Sequence, residues 1–162
     1  MSAWLVLHQL SMAFVTGGFL ALVAATSLLA RSIDDTERKH QARLVAGLAR
    51  FVAPFMDAGV TLGLVHWLVA YTPYGFGKLM ACSPPYLHIM VFGGFVTLGL
   101  GHAFRAKARR LSEAAEAGDQ PRAKQLAGKA FLFGVITLGL LAAITVTAVL
   151  KVPSGQMLRC VP

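Results

Sequence analysis

Four of the five histidines in this chain lie in or at the edge of long apolar stretches: His8, His66, His88 and His102. Imidazole is the commonest protein ligand for transition metals and also ligates haem iron. Ionisable residues are costly in hydrocarbon and usually face the interior of a helix bundle. A single histidine there reads as a hydrogen-bonded polar residue, but four together favour a metal or haem site. His40 lies in a basic stretch and is expected to be solvated.

The positions of these histidines predict one haem rather than two. His8, His66 and His88 lie near the same predicted end of their stretches, and any two supply the axial ligands of a b-type haem. His88 and His102 share a helix face, ~21 Å apart at ~1.5 Å per residue. This spacing is typical of helices that carry two haems, yet no other intramembrane histidine matches His102 in depth. We expect His102 to be a lone polar residue or a ligand with a non-histidine partner.

Sulfur-bearing side chains offer an alternative metal site. Met12 lies close in sequence to His8, and Met80, Cys82 and Met90 lie close to His88. Thioether, thiolate and imidazole ligands suit Cu(I), so copper is the alternative metal. Methionines also fill bundle cores, and here they do not recur at the short, regular intervals of a copper-binding motif. Haem b is therefore preferred, and the absence of a C-x-x-C-H motif excludes covalent attachment.

Four apolar stretches must position these side chains, at about residues 4–30, 48–71, 86–104 and 130–150. The chain is 56% hydrophobic and 14% charged, a composition outside the soluble globular range. Each stretch is long enough to cross ~30 Å of hydrocarbon as a helix, which satisfies its own backbone hydrogen bonds. Short connections then predict an all-α, integral membrane, antiparallel four-helix bundle that forms a single domain over residues 1–162.

The placement of charge predicts the orientation of the bundle. Twelve of the 15 Lys and Arg residues lie toward one end of the stretches, eleven in the connections that follow the first and third stretches and Arg50 at the start of the second. Cytoplasmic loops carry such an excess, so both termini and residues 72–85 are expected on the periplasmic side of a bacterial inner membrane. Topology explains the net charge of +8, so lipid is an expected partner and nucleic acid is not. Cys82 and Cys160 fall on the oxidising side and are predicted to form a disulfide, with two free thiols as the alternative.

The connections carry helix signals of their own. Asp34 and Asp35 favour a helix start near Thr36, which would lengthen the second helix beyond its apolar stretch. The third helix is expected to continue past residue 104 and to turn between Gly118 and Pro121.

Two further features of the apolar stretches have open interpretations. Asp57, the only acidic residue in them, follows Pro54 and is expected either to take up a proton or to pair with Arg50. Glycines recur in all four stretches, where they either allow close helix packing or leave room beside a planar cofactor.

Two histidine-bearing motifs are "LHQLSMAFVTGGFLAL" in the first stretch and "YLHIMVFGGFVTLGLGHAF" in the third. They resemble the first helix, and a later helix that opens W-L-H-x-K, of the HemJ-type protoporphyrinogen oxidase and CopD-like group of small bacterial membrane proteins. The resemblance covers about a third of the chain and implies haem-linked roles for His8 and His88. The lysine of the group's active-site motif falls at Met90, and this departure argues against protoporphyrinogen oxidation.

The sequence thus predicts an electron-transfer protein that binds one haem b on its outer side. Other membrane or periplasmic redox subunits are expected as partners, with quinone nearby. The alternatives are a cofactor-free accessory subunit of a larger membrane complex and a copper-handling membrane protein. No Ser-His-Asp arrangement, phosphate loop or paired-carboxylate motif occurs, so the sequence offers no support for hydrolysis and assigns no catalytic residue.

Overall fold

The computed structural model describes residues 3–32, 34–71 and 85–150, and it places almost all of them in four helices. These are α1 (Ala3–Arg31), α2 (Asp35–Tyr71), α3 (Pro85–Glu116) and α4 (Gln120–Leu150). Each is long and apolar enough to cross a membrane, and the described residues contain no strand. The predicted all-α four-helix fold is confirmed.

The helices form a four-membered bundle in which chain neighbours are neighbours in space. α2 packs against α1 and α3, and α4 packs against α3 and α1. We call the end with the α1–α2 and α3–α4 connections the basic end. The opposite end, where α1 and α3 begin, is called the histidine end.

At the basic end, three helices extend well beyond the apolar stretches. α2 begins at Asp35 rather than at residue 48, α3 continues to Glu116 and α4 begins at Gln120 rather than at residue 130. The expected lengthening of the second and third helices is thus confirmed. The Asp34 carboxylate accepts a hydrogen bond from the Glu37 amide at 3.1 Å, which satisfies a backbone donor that the first turn of α2 leaves free.

The turn between α3 and α4 lies where the sequence predicts it. Gly118 adopts φ +75°, a left-handed conformation that glycine takes without steric cost. The Asp119 amide donates to the Ala114 carbonyl at 3.0 Å, so the last turn of α3 closes as a Schellman motif.

The buried core lies toward the basic end. The first cluster contains side chains from all four helices, including Phe19, Met56, Phe104 and Leu141. The second occupies the basic end itself and is rich in alanine. Toward the histidine end, no described side chain is buried before residue 15 in α1, after residue 59 in α2 or before residue 97 in α3. The histidine end is therefore the less tightly packed part of the described bundle.

Glycines bring neighbouring helices into close contact in the bundle. A Cβ on Gly18 would overlap Val52, and one on Gly101 would overlap Met56. A Cβ on Gly93 would lie 2.7 Å from Ile144 Cδ1. The packing interpretation of these glycines is confirmed, because in each case a side chain of the adjacent helix occupies the space.

Candidate functional site

His8 lies between α1 and α2, where its ring is held by the backbone of α2. Its Nδ1 donates a hydrogen bond to the Gly59 carbonyl at 2.7 Å. Because a carbonyl oxygen only accepts, Nδ1 carries the proton, and in the neutral imidazole Nε2 keeps its lone pair. Histidines that ligate metals usually make such a hydrogen bond through the other ring nitrogen.

A G-x-x-x-G segment of α2 makes room for this ring. Gly59 and Gly63 are one turn apart, and a Cβ on Gly63 would lie 2.8 Å from His8 Cε1 and 3.0 Å from Nδ1. A Cβ on Gly59 would lie 3.0 Å from Met12 Sδ and 3.4 Å from Ser11 Cβ. The two glycines therefore leave the surface of α2 flat, and the His8 imidazole and the Met12 thioether of α1 pack against it.

His88 and Trp67 meet at the outer part of the α2–α3 contact. Their rings lie edge to face, with centroids 6.4 Å apart and an interplanar angle of 81°. Trp67 Nε1 is buried and has no hydrogen-bond partner in the described part of the chain. Buried indole N–H groups normally find an acceptor, so this donor is available to a ligand.

Three histidines, His8, His66 and His88, lie at neighbouring levels along α2. His8 packs at Gly63, and His88 packs at Trp67, which lies ~6 Å further toward the histidine end. His66 is half-buried and falls between these two positions on α2. No group of three or more histidine, cysteine or acidic side chains in the described residues could hold a metal ion.

His102 has a different environment and an acidic partner. Its Nε2 lies 3.1 Å from Asp57 Oδ1, across the contact between α3 and α2. Both side chains are about half exposed, 47% and 49%. Asp57 therefore pairs with His102 rather than with Arg50, the partner considered from sequence. We call these two residues the dyad.

The centre of the bundle offers little space for a cofactor. The cavity among Phe19, Leu22, Met56 and Phe104 measures about 10 Å³, about the least that can hold one water molecule. A planar group of haem size has no room there.

Several predicted site residues lie outside the described part of the chain. These are Met80, Cys82 and Cys160, so the predicted disulfide and half of the proposed copper ligands stay predictions. Met90 is described and half-buried on α3, whereas Met12 packs on Gly59.

No protein-family model, curated protein or solved structure matches this chain. The resemblance to the HemJ-type and CopD-like group therefore stays a prediction.

Proposed function

We propose that this protein is a multi-pass protein of the bacterial inner membrane that binds one b-type haem at its histidine end and transfers electrons. The observation that carries the proposal is the hydrogen bond from His8 Nδ1 to the Gly59 carbonyl. This bond fixes the tautomer that leaves Nε2 as the metal-binding nitrogen, and it orients the ring from a rigid helix backbone.

Two further features fit a haem at this end. The described side chains near it are half-buried or exposed rather than fully packed, whereas the centre of the bundle is closed. Among the described residues no acceptor faces the buried Trp67 Nε1–H, and a carboxylate such as a haem propionate would supply one. His8 is the first proposed axial ligand, and His88 or His66 is the second.

The residues of this chain would hold and tune such a group. A b-type haem with two imidazole ligands supplies one-electron transfer without binding substrate at the iron. His8 would be held in a fixed ring orientation by its hydrogen bond to the Gly59 carbonyl. The described residues form no soluble redox domain, so a partner redox subunit or a lipid-soluble quinone would exchange the electron.

An optical difference spectrum of the purified full chain tests the proposal. The protein, purified in detergent after expression with haem supplied, should show the sharp reduced-minus-oxidised bands of a low-spin b-type haem. His8→Ala should abolish these bands, and one of His88→Ala and His66→Ala should do the same. A spectrum without bands after haem reconstitution would overturn the proposal.

Two histidines provide matched controls within the same chain. His40 is exposed on α2 near the basic end, and His102 is paired with Asp57. His40→Ala and His102→Ala should keep the bands at wild-type intensity. If either control removed them while His8→Ala kept them, the histidine end would not be the haem site.

A cofactor-free accessory subunit is the second candidate, and one observation favours it. His8 fits so closely over Gly63 that its imidazole also acts as a packing and hydrogen-bonding group between two helices. In that case His8→Ala would destabilise the fold, and no metal would co-purify.

Elemental analysis of the same sample also tests copper, which should be lost in a Met12→Leu, Met90→Leu variant if the thioethers bind it.

A further inference from the structure

The pairing of Asp57 with His102 creates a polar site on the outside of the bundle. The two residues come from different helices and meet at 3.1 Å. Each leaves about half of its side chain exposed, although both lie within helical segments that are apolar enough to cross a membrane. Ionisable groups in such segments normally face the bundle interior or a polar cavity, so this outward position calls for a ligand.

The short contact within the dyad indicates which nitrogen of His102 carries the proton. Nε2 faces Asp57 Oδ1 at 3.1 Å, and a carboxylate repels a ring lone pair, so in the neutral imidazole the proton lies on Nε2 and Nδ1 is the acceptor. The dyad thus presents an acceptor nitrogen held beside a carboxylate. It favours a ligand that donates a hydroxyl.

The surface of α3 next to the dyad has room for a flat ring. Gly99 precedes His102 by one turn and is exposed, and a Cβ there would meet nothing within 4 Å. Phe95 lies one turn further along the same stripe and is 49% exposed. On α2, Thr61 is exposed one turn beyond Asp57. An acceptor, an open notch and an aromatic ring therefore follow one another along one face.

We propose that the dyad binds the hydroxyl-bearing ring of a lipid-soluble quinol. The quinol O–H would donate to His102 Nδ1, the ring would lie over Gly99, and its isoprenoid tail would follow the apolar surface of α3. This site is separate from the proposed haem site and does not depend on it, because it uses neither His8, His66 nor His88.

The test uses the full chain in lipid nanodiscs, with ¹⁵N-labelled histidine and anaerobic decylubiquinol as the probe. The His102 imidazole signals are assigned by their loss in His102→Gln. We expect a saturable shift of the Nδ1 signal with decylubiquinol. The dimethyl ether of the same quinol, which has no hydroxyl, should produce no shift.

Variants separate ligand binding from an effect on folding. Asp57→Asn should weaken quinol binding about tenfold, because a neutral amide no longer holds the proton on His102 Nε2 by charge. Gly99→Leu fills the open position next to the dyad, and it should also block binding. His40→Gln, at an exposed site outside the apolar stretches, should bind as the wild type does.

Three results would overturn the proposal. The first is no His102 shift with decylubiquinol. The second is an equal shift with the dimethyl ether or with diacylglycerol, which would indicate a site without preference for a quinol. The third is a crosslink in native membranes from a photoreactive side chain at position 99 to a second polypeptide, with a yield that added quinol does not reduce. A haem spectrum would be unchanged by any of these results, so the two proposals fail separately.

Discussion

His8 illustrates how one side chain can serve packing and ligand binding together. Its ring lies over Gly63 and donates to the Gly59 carbonyl. A larger residue at Gly63 would force the ring away from the α2 backbone. The tautomer that leaves the lone pair on His8 Nε2 is therefore set by helix packing rather than by a separate polar partner.

A substitution at Gly63 tests this close fit. Gly63→Ala would place a methyl group 2.8 Å from His8 Cε1, and such overpacking should lower the free energy of unfolding by about 1–3 kcal/mol. The measurement is unfolding by dodecyl sulfate in mixed micelles, followed by circular dichroism. The cost should shrink in a Gly63→Ala, His8→Ala variant, because the conflicting ring is absent.

Gly17 is the matched control for that experiment. A Cβ on Gly17 meets nothing within 4 Å, so Gly17→Ala should be neutral or stabilise α1 by about 0.5–1 kcal/mol. Equal effects at positions 17 and 63 would contradict the close fit of His8. Additive effects in the double variant would contradict the coupling between position 63 and the ring.

At the scale of whole helices, the number and ends of the helices depend on local sequence signals, and these features were predicted. Apolar length predicted the four helices, and the Asp34–Asp35 pair and Gly118 predicted where α2 begins and α3 ends. The contact between Asp57 and His102 was not predicted. It depends on how α2 and α3 rotate about their axes, and hydrophobicity specifies this rotation only coarsely. The G-x-x-x-G spacing of Gly59 and Gly63 was the available signal for the His8 contact.

Arg38 connects three helix ends at the basic end of the bundle. It is 8% exposed, and its Nη2 donates to the Ser32 carbonyl at 2.8 Å. Its Nη1 donates to Asp35 and to Gln120, the first residue of α4. The guanidinium thereby satisfies a carbonyl that the end of α1 leaves without an intrahelical partner.

Replacing Arg38 should therefore destabilise the bundle. Arg38→Met keeps the aliphatic stem but removes every donor, and it should lower the free energy of unfolding by about 1.5–3 kcal/mol. Arg43 is the control, since its ion pair with Glu116 at 3.0 Å is largely exposed. Arg43→Met should cost less than about 1 kcal/mol. An equal loss in both variants, measured by the same unfolding titration, would contradict the role of Arg38.

The surface of the whole molecule combines an apolar belt with one strongly basic end. Large apolar side chains are more than half exposed on all four helices, for example Phe14, Phe51, Phe92 and Leu132. In water this surface would drive association, but in a bilayer it is the expected contact with lipid tails. The dyad interrupts the belt, which is why a lipid-soluble ligand rather than a water-soluble one is proposed there.

The distribution of charge at the two ends leads to a prediction about orientation. If positive residues remain in the cytoplasm, Lys124, exposed on α4 at the basic end, faces inward. In a chain with Cys82→Ser and Cys160→Ser, Lys124→Cys should resist a membrane-impermeant maleimide in intact spheroplasts and react after permeabilisation. Ala3→Cys, exposed at the histidine end, should react in both conditions. The reverse pattern would place the proposed haem site on the cytoplasmic side, within reach of different electron donors.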